Sequence, residues 1–94
     1  MRYDRKLSRM PFAQCGVNFD EHGGIKLVSY STVVIDIDPM GWLVCTGTYS
    51  QTTRKHISAF LKEYAPNIGY YDAKGCFENK MTINIHTREV QPLE

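Results

Sequence analysis

No stretch of this sequence approaches the roughly 18 consecutive apolar residues needed to span a bilayer, so the chain is not expected to cross a membrane. Its amino end carries charges without the apolar centre of a secretory signal, and the expected setting is cytoplasmic. Cysteine is scarce. Cys15, Cys45 and Cys76 are an odd number, widely spaced and without a C-x-x-C pair, which suits free thiols in a reducing compartment and excludes the common zinc spacings. Net charge is nearly absent as well. A balance of +1 over 94 residues argues against a generally basic binder, so any contact with nucleic acid must come from a local patch. There is no glycine-rich phosphate loop, no internal repeat and no low-complexity tract. Asp20, Glu21 and His22 lack the one-three-five spacing of a calcium loop, and neither a nucleophile nor a carboxylate is recognisable beside His56. The expectation is a protein that is not an enzyme, with no catalytic residue, no cofactor and no metal.

What is present is ordinary globular material. Hydrophobic residues at 43% and charged residues at 22% exclude whole-chain disorder, and the length suits one domain with one core. The best-defined stretch runs from Ser50 to Tyr64. Ile57, Phe60, Leu61 and Tyr64 fall at i, i+3, i+4 and i+7, one face of a helix over about residues 52 to 65. Ser50, Thr52 or Thr53 can cap its start, and Ala65-Pro66 ends it. Arg54, Lys55 and His56 are then expected in the first turn, where the helix macrodipole favours anions.

Strands surround this helix. Residues 25–38 read as one strand region, in which Val33, Ile35 and Ile37 alternate with Val34, Asp36 and Asp38. Asp38-Pro39-Met40-Gly41 has type I turn chemistry, and Trp42 to Tyr49 is the return strand of a hairpin. Residues 67–71 are expected to form a short aromatic strand, Asp72 to Gly75 a turn, and Lys80 to Thr87 the last strand. Residues 15–24 read as loop, because Gly16, Asn18, Asp20, Gly23 and Gly24 are turn formers. The expected architecture is α+β: a small, mostly antiparallel sheet of three to five strands with a single amphipathic helix on one face. Residues 1–94 form one domain, divided into a basic arm and loop (1–24), a ββαββ core (25–90) and a tail (91–94). The core list is Val33, Ile35, Ile37, Leu43, Cys45, Ile57, Phe60, Leu61, Tyr64, Ile83 and Ile85. The uncovered sheet face should carry Asp36, Asp38, Thr82, Asn84 and His86 among Val34, Val44 and Trp42.

Three candidate surfaces follow. Arg54, Lys55, Ser58 and Lys62 lie on the helix face opposite the core and could bind a phosphate or carboxylate; a solvated charged face reads the same way. The arm residues Arg2, Arg5, Lys6 and Arg9 are either a frayed terminus or an electrostatic extension of that surface. Tyr70 and Tyr71 would sit on opposite faces of a strand, one of them exposed and able to stack on a base or a partner. Asp36 and Asp38, with Asn84 and His86 as candidate partners across the sheet, could hold a cation, but the open face of an antiparallel sheet produces the same pattern without function.

Ser29-Tyr30-Ser31-Thr32-Val33, Gly41-Trp42-Leu43 and the run Gly47-Thr48-Tyr49-Ser50-Gln51-Thr52-Thr53-Arg54-Lys55-His56-Ile57-Ser58-Ala59-Phe60-Leu61 carry a resemblance. The chain resembles small uncharacterised proteins of Firmicutes bacteria, their phages and mobile elements, which share a "SYST-V" strand, a turn and a "YS-x-TTRKHI-x-AF" helix start. The likeness covers residues 29–72, is most specific at the helix start, and leaves the first 24 residues outside. It brings no catalytic residue and no cofactor. It implies a mobile-element setting, in which small proteins act on host machinery. The expected function is thus a non-enzymatic binding protein that occupies a host protein or ribonucleoprotein, for example to inhibit a bacterial defence system. The alternative is a small nucleic-acid binder using the helix start and the arm. Self-association through the open sheet face or an edge strand is compatible with both.

Overall fold

The computed structural model describes residues 3–47 and 50–93, so Arg2 of the arm and Thr48 and Tyr49 of the expected return strand lie outside the described residues. In chain order the elements are β1 (Cys15–Phe19), β2 (Ile25–Ser29), β3 (Thr32–Ile37), β4 (Trp42–Cys45), α1 (Gln51–Tyr64), α2 (Tyr70–Glu78), β5 (Met81–Asn84) and β6 (Val90–Pro92). The six strands lie in one sheet in sequence order, each antiparallel to the next. This is an α+β fold in which a helical pair is inserted between the adjacent strands β4 and β5. α1 packs on β2, and α2 packs on β4 and β5. The expected sheet of three to five strands with one helix is therefore corrected, among the described residues, to six strands with two helices.

The first correction is β1, expected to be loop. Cys15 and Val17 alternate into the core, and Gly16 is small for a packing reason. A Cβ on Gly16 would lie 2.4 Å from Cγ of Tyr3, so this glycine admits the arm against the sheet instead of making a turn. From Tyr3 onward the arm is not frayed. Arg5 exchanges backbone hydrogen bonds with Val17 at 3.1 and 2.7 Å, and Leu7 is fully buried in the main core.

Residues 25–38 divide into two strands. Tyr30, in the left-handed region at φ 57°, and Ser31 reverse the chain, with Ser29 paired to Thr32. A register shift between Leu27 and Val28 leaves Val34 as the extra residue of a bulge. Val34 thereby enters the core while Val33 is only half-buried, the reverse of the expected alternation. Beyond the bulge, Ile35 and Ile37 face inward as expected.

The β3–β4 hairpin forms with Ile35, Asp36 and Ile37 opposite Cys45, Val44 and Leu43. Asp38 closes it: its Oδ1 accepts hydrogen bonds from the backbone N–H groups of Met40 and Trp42, each at 2.9 Å. Gly41 follows at φ +96°, beneath the ring of His86, where a side chain would be both strained and obstructed.

Helix α2 replaces the expected aromatic strand and turn. Its start is fixed by Asp72, whose Oδ2 accepts from the backbone N–H of Gly69 at 2.9 Å. Tyr70, Ala73 and Cys76 then follow at a spacing of three, with Ala73 and Cys76 buried. The last expected strand is shorter than Lys80 to Thr87. Oδ1 of Asn84 accepts from His86 and Thr87 N–H at 2.9 and 3.2 Å and turns the chain back, so that β6 pairs with β5 where a polar tail was expected.

A candidate anion-binding groove

Helix α1 has two stripes. Thr53, His56, Ile57, Phe60 and Leu61 are buried, with Tyr64 partly so. Gln51, Arg54, Lys55, Ser58, Ala59 and Lys62 repeat at three- and four-residue intervals on the other side, and they line a groove of about 460 Å³. Arg9 supplies the facing wall. It is held there because the arm is fastened to the same helix: Glu63 accepts hydrogen bonds from the backbone N–H of Ser8 at 2.9 Å and from its hydroxyl at 3.2 Å. Four cations thus share one hollow, and among the described residues its lining holds no carboxylate. Among the described residues none of the four forms an ion pair; those present join Lys26 to Asp20 and Asp36, His22 to Glu21, and Arg88 to Asp72.

α2 adds the aromatic pair. Cζ of Arg54 stands 4.8 Å from the Tyr70 ring centroid and 5.5 Å from that of Tyr71, and its Nη2 donates to the Tyr71 hydroxyl at 2.7 Å. On a strand these two rings would have been separated by the sheet. On a helix both reach Arg54, Tyr70 half-buried and Tyr71 67% exposed. The guanidinium is held by rings and one hydroxyl, neither of which neutralises its charge.

Two expected members lie elsewhere. Arg5 belongs to the backbone bridge with Val17, and Lys6 donates to the carbonyl of Ala13 while its ammonium stands 4.9 Å over the Tyr3 ring. Neither lines the groove. The dipole anomaly is also smaller than expected. Ser50 is the N-cap, its Oγ accepting from Thr53 N–H at 3.2 Å, so Arg54 closes the first turn and Lys55 and His56 begin the second. The first turn contains no acid. Gln51→Glu should therefore raise stability by about 0.3–1 kcal/mol while placing a carboxylate in the groove and weakening anion binding. A thermal melt beside a binding titration reads both signs.

His56 is interior. Its Nδ1 lies 2.8 Å from the Ser29 hydroxyl, which also lies 3.2 Å from the Thr53 hydroxyl, and the Tyr30 ring is 5.8 Å away, centroid to centroid. The sequence hid this partner, which comes from a strand 27 positions earlier. Ser29, Thr53 and His56 are all buried, so the pair satisfies polar groups inside the core and has no approach for a substrate. Burial, and secondarily Lys6, holds the His56 pKa below its usual 6.5. The unfolded chain then binds the extra proton first. The stability involved is complete above the unfolded value near 6.5 and falls as pH drops toward the lower folded value. Urea midpoints measured across that window should show an acid-side slope that His56→Gln flattens.

The carboxylate reading does not assemble. Asp38 caps the hairpin, Asn84 its own turn, and Asp36 stands 3.8 Å from the ammonium of Lys26. No group of three His, Cys, Asp or Glu side chains poised for a metal occurs among the described residues. Asp36, Asp38, Trp42, Val44 and Thr82 do share the uncovered sheet face, in a shallow hollow of about 470 Å³. Asn84 is buried, against expectation, and Val34 belongs to the core. Cys15, Cys45 and Cys76 are free and buried, and burial raises the pKa of each thiol, which disfavours the reactive thiolate.

Fold and groove together define a small α+β protein with an electropositive helix face. Residues 7–76 match the family described as "Family of unknown function (DUF8033)", and the chain belongs to that family. The matched span runs from the buried Leu7 through Arg9 and α1 to Cys76, so it contains every residue of the groove and both tyrosines. No curated protein and no solved structure matches the chain. Among the described residues no helix is long and apolar enough to cross a membrane.

Proposed function

We propose that this protein is a non-enzymatic binding protein of the bacterial cytoplasm that grips the phosphate backbone of a nucleic acid in the α1 groove. The observation that carries the reading is the convergence of Arg9 with Arg54, Lys55 and Lys62 on one hollow lined, among the described residues, by no acid. Like charges gathered without neutralising carboxylates repel one another, and a polyanion relieves that repulsion while releasing its own counterions. The chain's overall balance of +1 makes such binding local and modest, confined to one face.

Occupation of an acidic face of a host protein is the second reading, in keeping with the mobile-element setting that the sequence resemblance implies. It is favoured by Phe12, 97% exposed and three residues from Arg9, which suits an apolar anchor beside a charged rim. Fluorescence anisotropy with labelled DNA and RNA separates the two. The nucleic-acid reading expects saturable binding at low salt that Lys55→Glu with Lys62→Glu weakens roughly a hundredfold. Absence of binding to either nucleic acid would leave the protein ligand as the occupant.

A further inference from the structure

One lining residue of the groove, Arg54, reaches across to α2. There stands Tyr71, hydrogen-bonded through its hydroxyl to Arg54 and leaving 67% of its surface exposed. Tyr70 meets Tyr71 in a T-shaped contact, with ring centroids 5.3 Å apart, and so steadies a ring that stays largely exposed. Arg54 touches both elements: it lines the cationic hollow and lies over the two tyrosines. A phosphate bound by Arg54 therefore brings the adjoining nucleotide to the Tyr71 ring. In a duplex the bases are paired and stacked inside and cannot reach such a ring. In a single strand they are free to turn outward and stack.

We infer that the groove and Tyr71 form one site for single-stranded nucleic acid, with backbone phosphates on Arg9, Arg54, Lys55 and Lys62 and a base on the exposed face of Tyr71. The inference rests on the nucleic-acid reading of the groove and adds a base contact to it. The groove-lining residues Gln51 to Lys62 span eleven steps of helix, about 16 Å at 1.5 Å per residue, which accommodates a strand of a few nucleotides. Stacking on a tyrosine is tolerant of base identity, so the preference is for an unpaired base and not for a sequence.

The test uses three labelled DNA probes of on the order of ten nucleotides: a mixed-sequence single strand, its duplex, and an abasic strand of the same length. The intact strand should bind about tenfold more tightly than the abasic strand, the usual order for one base stacked on an aromatic side chain. Tyr71→Ala should abolish that preference. Tyr71→Phe, which loses the hydrogen bond to Arg54 but keeps the ring, should retain it, and this separates stacking from any disturbance of Arg54. Equal binding of intact and abasic strands by the unaltered protein would overturn the inference, as would a preference that survives Tyr71→Ala; in both cases salt-sensitive binding of all three probes would leave the groove reading standing. Failure to bind any probe would overturn both.

Discussion

Replacing Leu7 by alanine should cost about 2–5 kcal/mol of folding free energy. The side chain is fully buried and belongs to the same core cluster as Val17, Leu27 and Phe60. Truncation removes its transfer free energy and leaves a cavity, because the arm cannot simply follow the lost volume inward. It is pinned on one side of Leu7 by the Arg5–Val17 bridge and on the other by the Ser8–Glu63 hydrogen bonds. For a domain of this size each kcal/mol lowers the melting temperature by roughly 4–8 °C, so the loss is a large share of the typical 5–15 kcal/mol total. Urea unfolding measures it directly. A frayed arm would instead give a change within about 0.5 kcal/mol, the range for exposed positions. Because Leu7 also fixes where Arg9 stands, the same variant should weaken anion binding under conditions where it is still folded.

The second large effect is on binding. Lys55→Glu with Lys62→Glu should lower affinity for nucleic acid roughly a hundredfold at low salt, since two phosphate contacts are lost and two repulsive charges gained. Stability should hardly move. Both lysines are exposed, and the dipole contributions oppose each other: a carboxylate near the amino end of α1 is favoured, while one replacing Lys62 in the last turn is not. Loss of binding with an unchanged unfolding midpoint is the expected pair of results. Retained binding in a folded double variant would remove the groove from the account.

The elements legible in the sequence are those whose own residues specify them. α1 shows its apolar spacing and its terminal Ala65-Pro66, and the β3–β4 hairpin shows Asp38, Pro39 and Gly41 in turn order. The elements that escaped depend on distant partners. β1 looks like a loop until Tyr3 is seen lying over Gly16. α2 looks like a strand because Tyr70-Tyr71 has strand propensity and Gly75 weakens the helical pattern, whereas Ala73 and Cys76 bury themselves against β4 and β5 only in the folded chain. β6 has no buried residue to mark it. The site divides the same way. Arg54, Lys55, Ser58 and Lys62 share a helical stripe and so could be read together, but Arg9 joins them through the burial of Leu7 and the fastening of Ser8 to Glu63. Which of the arm cations reaches the groove is not visible in the sequence, since Arg5 and Lys6 carry the same charge as Arg9 and are engaged elsewhere.

If the four cations of the groove hold phosphates, the salt dependence of nucleic-acid affinity reports it most directly. With four contacts, the logarithm of the binding constant should fall against the logarithm of salt with a slope of about −3 for a single strand and somewhat steeper for a duplex. That is a loss of roughly fiftyfold between about 50 and 200 mM salt. In the Lys55→Glu, Lys62→Glu variant the slope should drop by at least half. An affinity indifferent to salt, or a slope that the double variant leaves unchanged, would contradict phosphate binding in the groove.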